Sequence, residues 1–176
     1  MSILIPPAPS QDYPPPRGLA EVIAAYGDVK IRRGPDGWQI VSPPRWESQN
    51  CVVVRDFPGL AKPLYVHRLL VVPLRSALTA WQATCPEYTI RTIGAFCPRP
   101  KRVAKGSGDV VGWSEGLSVH SVAAAVDINA DTNPMRSLMV CDMPDAFRKC
   151  FADAGFTWGG TFPTPDPMHF QFGSGI

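Results

Sequence analysis

The sequence lacks long apolar runs and any strong excess of charge. No stretch approaches the roughly 18 apolar residues that a membrane-spanning helix needs. The first residues, MSILIPPAPSQDYPPPRG, lack the basic start and apolar run of a secretory signal. We therefore expect a protein made in the cytoplasm without a signal peptide, and no membrane partner. Lys and Arg total 17 against 15 Asp and Glu, a net charge of +2, so charge gives no reason to expect a nucleic-acid partner.

Cysteine is too scarce and too irregularly spaced for a disulfide framework. The cysteines are odd in number and include no CxxC pair, so we interpret them as reduced thiols that fill the core. Cys97, two residues before Arg99, is left open as a functional residue. The five cysteines are Cys51, Cys85, Cys97, Cys141 and Cys150.

Length and proline content predict one domain that follows an extended arm. The 176 residues with 45% apolar content are enough for one hydrophobic core. Six of the 20 prolines fall within the first sixteen residues, a density that favours extended chain. We therefore predict a proline-rich arm over residues 1–17 and a single domain over residues 18–176.

Apolar spacing predicts helices at three places. Residues 73–84 begin with proline and carry apolar side chains at intervals of three and four. Residues 142–154 repeat this pattern, with Asp142 as an acidic cap and Gly155 as the stop. A shorter helix is predicted over residues 19–26.

Two segments show the alternation that is typical of strands. In VAAAVDI (122–128), the alternation directs Val126 towards the core and Asp127 to the opposite face. In MHFQF (168–172), Met168, Phe170 and Phe172 share one face, and His169 and Gln171 lie on the other. Shorter strands are predicted at 38–41 and 51–54. Without a βαβ rhythm, this predicts an α+β fold with a small antiparallel sheet and flanking helices.

Two histidines and one carboxylate are candidate metal ligands. Catalytic zinc sites usually take three protein ligands and leave one position for water. His120 and Asp127 are seven residues apart, and His169 follows 42 residues later on another predicted strand. Residue types alone do not establish the site, because most histidines bind no metal.

Two stretches carry a family resemblance. SVHSVAAAVDI (118–128) resembles the Ser-x-His-x-x-Gly-x-Ala-x-Asp motif of the M15 zinc peptidases, which include D-alanyl-D-alanine carboxypeptidases and phage L-alanyl-D-glutamate endolysins. GFTWGG (155–160) and DPMHF (166–170) are similar to that family's closing Gly-Phe-x-Trp-Gly-Gly and Asp-x-x-His-Phe signature. The resemblance covers about residues 91–172. It implies a fold of the hedgehog/D,D-peptidase type and a zinc ion held by His120, Asp127 and His169.

The resemblance also implies roles for other residues. Asp166 occupies the place of the general base, which would take a proton from the attacking water and give it to the leaving amine. Arg99 is the candidate for holding the substrate carbonyl or a stem-peptide carboxylate. Arg91 and Arg102 are alternatives for that role. Ser118 is interpreted as a hydrogen-bonding residue behind the ligands, and Trp158 as a wall of the cleft.

One position departs from the family pattern. Ala123 stands where the motif usually has glycine. We expect Ala123 to adopt a β conformation, which alanine tolerates. A positive φ there would cost roughly 1 kcal/mol or more.

These observations predict a zinc metallopeptidase that acts on peptidoglycan stem peptides. An L-alanyl-D-glutamate endopeptidase is expected first, and a D-alanyl-D-alanine carboxypeptidase is the alternative. A non-catalytic zinc-binding phage structural or wall-binding module is the alternative from another class. We expect a monomer that acts on the cell wall after phage-type release.

Overall fold

The computed structural model describes residues 13–102 and 109–176. In that part of the chain there are four α-helices and nine short strands. The helices are α1 (Gly18–Tyr26), α2 (Trp46–Asn50), α3 (Val71–Thr84) and α4 (Asp145–Asp153). The strands are β1 (Lys30–Gly34), β2 (Gly37–Ser42), β3 (Cys51–Val54), β4 (Leu64–His67), β5 (Ile93–Gly94), β6 (Val110–Val111), β7 (Ala125–Ile128), β8 (Thr157–Trp158) and β9 (His169–Gln171). None of the described helices is long and apolar enough to cross a membrane.

The strands form small antiparallel sheets, and the helices pack beside them. The largest sheet has the order β5-β7-β9-β8, the second has the order β2-β1-β6, and β3 pairs with β4. This arrangement confirms the predicted α+β class. The four-stranded sheet carries two of the candidate metal ligands, Asp127 on β7 and His169 on β9.

Two hydrophobic clusters enclose the strand β7. The first joins the four-stranded sheet to α3 and α4, and it includes Val126, Ile128 and Phe170. The second packs α1 and β1 against residues 122–125. Because β7 lies between both clusters, its backbone is held from two sides.

The predicted α3 is confirmed, and its apolar stripe is the buried face. Burying such a stripe is the main source of stability for a helix of this length. The stripe consists of Leu74, Ala77, Leu78 and Trp81.

The predicted start of the last helix was wrong. The helix α4 begins at Asp145, and Asp142 does not cap it. Instead, the Asp142 carboxylate accepts hydrogen bonds from the Tyr88 hydroxyl at 2.7 Å and the Asn133 amide at 2.8 Å. A carboxylate occupied by these long-range partners is not available to cap a helix. The buried apolar stripe of α4 and the end of this helix before Gly155 are as predicted.

The first half of the predicted strand at 122–128 was also wrong. Residues Val119–Val122 form a 3₁₀ turn, and the strand begins only at Ala125. The Ser118 hydroxyl accepts a hydrogen bond from the backbone N–H of His120 at 3.4 Å, which caps this turn. The turn reverses the chain, so that His120 lies beside Asp127 rather than further along a strand.

Ala123 does not adopt the expected β conformation. It has φ 52° and ψ 30°, in the left-handed region, where alanine is strained by roughly 1–2 kcal/mol. Its side chain is fully buried in the second cluster. Its carbonyl accepts a hydrogen bond from the backbone N–H of His67 at 2.9 Å. The surrounding structure therefore holds a conformation that the residue disfavours.

The predicted arm is only partly within the described residues. Residues 1–12 lie outside them. Arg17 forms a parallel bridge with Ser174, and the Ser174 N–H donates to the Pro16 carbonyl at 2.9 Å. The end of the arm is thus hydrogen-bonded to the segment that follows β9.

The cysteines form no disulfide, as expected. Cys51, Cys85 and Cys150 are buried, and Cys141 is partly buried against the first cluster. Cys97 is exposed, so it is not a core residue.

Candidate metal centre

Three donor atoms from separate elements meet at one point. His120 Nε2, Asp127 Oδ1 and His169 Nδ1 are each 3.0 Å from the other two. Asp127 and His169 lie directly opposite one another in the β7–β9 pairing, and the 3₁₀ turn brings His120 to them. Both histidines are buried and Asp127 is partly buried.

Hydrogen bonds at the outer ring nitrogens determine which nitrogen of each histidine faces the centre. His120 Nδ1 is 2.7 Å from the carbonyl oxygen of Ala95, which can only accept, so this nitrogen carries the proton. His169 Nε2 donates to Gln171 Oε1 at 3.0 Å, and the Gln171 amide nitrogen in turn donates to the Gly173 carbonyl at 3.1 Å. With the ring protons on these outer nitrogens, the inward nitrogens are the ones that can offer lone pairs to a metal ion.

Three atoms that point lone pairs at one another from 3.0 Å repel, and a cation bound between them would remove that repulsion. Ligands around a tetrahedral zinc ion with bonds of about 2.0–2.1 Å stand about 3.3 Å apart, close to the spacing found here. Burial raises the pKa of the Asp127 carboxyl, but its close contacts with the His120 and His169 rings outweigh this effect and lower that pKa. The group fits a metal ion by both its donor set and its spacing.

Asp166 lies beside this centre because Gly159 has no side chain. The backbone N–H of Asp166 donates to the Gly159 carbonyl at 2.9 Å, and that of His169 donates to the Asp166 carbonyl at 3.0 Å. A Cβ atom on Gly159 would lie 2.5 Å from the Asp166 carbonyl oxygen. The glycine in this motif is therefore required by the close approach of two backbone segments.

The Asp166 carboxyl group is unusual in its own right. Its Oδ1 is buried and has no hydrogen-bond partner among the described residues. Burial raises the pKa of this carboxyl, although the charges of His169 and Arg102 oppose the shift. A buried, unpaired carboxylate oxygen beside a metal centre is typical of a functional group rather than a structural one.

Arg99 is attached to the metal-binding turn by its backbone. Ser121 Oγ accepts from the Arg99 N–H at 2.9 Å and donates to the Arg99 carbonyl at 3.0 Å. The Ser118 N–H donates to the same carbonyl at 3.1 Å. The Arg99 side chain lines the cavity next to the metal centre.

The two alternative arginines lie in different places. Arg102 lines the cavity and its charge acts on Asp166. Arg91 lies elsewhere, paired with Asp131 at 3.4 Å and with Asp142 at 3.8 Å. The structure therefore brings Arg99 and Arg102 to the centre and leaves Arg91 outside it.

Ser118 and Trp158 differ in their relation to the cavity. Ser118 is buried, lines the cavity and caps the turn that carries His120. Trp158 is not among the lining residues. Its indole N–H donates to the Pro167 carbonyl at 2.8 Å, and the Arg148 guanidinium covers its ring at 4.5 Å. It supports the loop between Asp166 and His169 from behind.

The cavity has a volume of about 480 Å³ and contains features that the sequence did not reveal. Lys101 lines it together with Arg99 and Arg102. Gln171 also lines it, in contact with His169. Met168 lines it too, although the alternation predicted a place in the core with Phe170. Of these three residues, only Gln171 could have been found from the sequence, because the alternation places it on the same strand face as His169.

Comparisons with known proteins agree with this geometry. Residues 112–172 match a family model described as D-alanyl-D-alanine carboxypeptidase, Peptidase_M15_4. This segment is about a third of the chain and contains His120, Asp127, Asp166 and His169. The match supports an M15-family peptidase and confirms the resemblance seen in the sequence. No curated protein and no solved structure matched the chain.

Gln171 provides a test of how the centre is organised. We expect Gln171→Leu, which keeps the side-chain size but removes the acceptor for His169 Nε2–H, to weaken zinc binding by about 10–100-fold. Gln171→Glu keeps an acceptor and should retain most of the affinity. Competition with a chromophoric chelator measures zinc affinity directly, with the exposed Gln49→Leu as the matched control. Unchanged affinity in Gln171→Leu would contradict the role in orienting His169.

Proposed function

We propose that this protein is a zinc metallopeptidase that hydrolyses a peptide bond in the stem peptides of bacterial peptidoglycan. Support comes from the M15 family match and from the three converging lone pairs. The observation that carries the proposal is the buried, unpaired Oδ1 of Asp166 beside them.

The residues of the centre divide the chemistry between them. A zinc ion held by His120, Asp127 and His169 would polarise the scissile carbonyl and make water a stronger nucleophile at neutral pH. Asp166 would take the proton from the attacking water and deliver it to the leaving amine. Arg99 would hold the carbonyl oxygen as negative charge develops on it.

Two stem-peptide bonds are candidate substrates. We propose that the protein cleaves the L-alanyl-D-glutamate bond. It would then be an endopeptidase that acts as a monomer on the cell wall after phage-type release. The D-alanyl-D-alanine carboxypeptidase is the alternative, and the matching family model carries that description. The cavity of about 480 Å³ has room for a short peptide segment.

A binding module from another functional class has less support. Such a module would need the metal ligands at most, and it would have no use for a desolvated carboxylate beside them. Burying the Asp166 carboxyl group without a partner has a free-energy cost. Catalysis gives a reason for that cost.

A digest of purified peptidoglycan tests the proposal. The zinc-loaded protein should release fragments whose masses and new amino termini identify the bond cut. New D-glutamate amino termini indicate the endopeptidase, and release of free D-alanine indicates the carboxypeptidase. If neither product forms with the zinc-loaded protein, the proposed function is wrong.

A further inference from the structure

The lining of the cavity carries more positive than negative charge. Arg99, Lys101 and Arg102 line it, against the carboxylates of Asp127 and Asp166. A divalent metal ion at the centre would add further positive charge. The cavity is therefore suited to an anionic ligand.

Neither carboxylate that lines the cavity forms an ion pair with Lys101. Asp127 faces the two histidines, and Asp166 is influenced by the charge of Arg102. The Lys101 ammonium forms no hydrogen bond or salt bridge with any residue in 13–102 or 109–176. Within the described residues, the Arg99 guanidinium makes one hydrogen bond, to the Pro100 carbonyl at 3.4 Å.

Lys101 is held in place and partly removed from water. Its backbone N–H donates to the Gly116 carbonyl at 2.8 Å, and the preceding Pro100 pairs with Leu117 in an antiparallel bridge. The residue is partly buried, and this burial lowers the pKa of its amine. A partly desolvated ammonium that has no counter-ion among the described residues would be stabilised by a ligand that carries a carboxylate.

Both candidate substrates have a carboxylate at the same chemical position. In the D-alanyl-D-alanine bond, the leaving nitrogen belongs to an alanine whose α-carbon carries the terminal carboxylate. In the L-alanyl-D-glutamate bond, the leaving nitrogen belongs to a glutamate that continues through its γ-carboxyl group, so its α-carboxylate is free. Each substrate therefore has an anion one carbon away from the leaving nitrogen.

We propose that Lys101 binds this α-carboxylate and selects substrates whose leaving residue carries it. This inference rests on the proposed function. Arg99 binds the scissile carbonyl, whereas Lys101 binds the α-carboxylate of the leaving residue, on the other side of the cleaved bond. Lys101 is then a specificity-determining residue at the same site.

Two ligand pairs test the proposal and distinguish the two sources of carboxylate. One pair is D-Ala-D-Ala and its C-terminal amide, and the other is L-Ala-D-Glu and L-Ala-D-isoglutamine. Dissociation constants are measured with the zinc-loaded Asp166→Asn protein, with and without Lys101→Met. Values of KM and kcat are measured with Asp166 intact. Lys62→Met, at an exposed lysine, is the matched control.

We expect Lys101→Met to weaken binding of the acid by about 10–100-fold and to leave binding of its amide unchanged. This difference should appear in the ligand pair that matches the true substrate. The same variant should raise KM for the acid with little change in kcat. Lys101→Arg should restore much of the preference. Arg99→Ala, in contrast, should lower kcat for the acid and the amide alike.

The inference and the proposed function can fail separately. The inference is wrong if the parent protein binds the acid and the amide with equal affinity. It is also wrong if Lys101→Met weakens the binding of both ligands equally or of neither, because Lys101 then does not bind the carboxylate. If the parent protein prefers the acid through Lys101 but cleaves no peptide, the binding inference stands and the peptidase proposal fails.

Discussion

His120→Ala is expected to remove nearly all tightly bound zinc and, with it, peptide hydrolysis. The substitution leaves only Asp127 and His169, and two ligands hold zinc far more weakly than three. It also removes the ring that donates to the Ala95 carbonyl. Elemental analysis after dialysis should give about one zinc per chain for the parent protein and almost none for the variant.

The histidine outside the centre supplies the control. His67 is fully buried between Tyr26 and Trp46, and its Nδ1 accepts from the Leu69 N–H at 3.2 Å. His67→Asn keeps an acceptor and should retain about one zinc per chain, even if the variant is less stable. Added zinc should raise the Tm of the parent protein and not that of His120→Ala, because only a bound ligand stabilises the folded state. Full zinc content in His120→Ala would overturn the ligand assignment.

Asp166→Asn is expected to lower peptidoglycan hydrolysis by at least about a hundredfold while zinc content and fold are retained. Asparagine has nearly the same shape but cannot take the proton from the attacking water. The hydrogen bonds that anchor this position to Gly159 and His169 use backbone atoms, so the substitution keeps them. The buried Oδ1 has no partner to lose. Single-turnover hydrolysis and zinc content, measured on the same preparation, separate the two effects.

An exposed carboxylate controls for the change of charge. Asp36 lies in the turn between β1 and β2, and Asp36→Asn should leave hydrolysis unchanged. Hydrolysis by Asp166→Asn at the parent rate would reduce Asp166 to a turn residue. Loss of zinc from this variant would instead indicate that Asp166 helps to hold the metal.

The sequence alone determined the elements whose patterns are local. The apolar stripe of α3 follows from a helical spacing within one short segment, and Phe170 and Phe172 alternate with His169 and Gln171 in the same local way. The order of the predicted elements indicated the α+β class. The resemblance to the M15 zinc peptidases pointed to Asp166 and to His120, Asp127 and His169, whose donor atoms meet in the structure. The helical stripe and the strand alternation follow from side-chain periodicity, which a short run of neighbouring residues is sufficient to determine.

Only the tertiary structure decided the features that depend on distant partners. Asp142 could cap a helix by its sequence, but Tyr88 and Asn133 occupy its carboxylate. Ala123 could lie in a strand, but it is held in a left-handed conformation between His67 and the second core cluster.

Contacts with distant residues also distinguish candidate site residues that the sequence could not rank. Arg91 and Arg99 are both plausible site residues, yet ion pairs hold Arg91 elsewhere while Ser121 fixes the backbone of Arg99 beside the metal turn. Lys101 is held at the cavity by the hydrogen bond from its backbone N–H to the Gly116 carbonyl, 15 residues further along the chain. Contacts between residues far apart in the chain decide which donor or charge faces the cavity, and no local pattern encodes them.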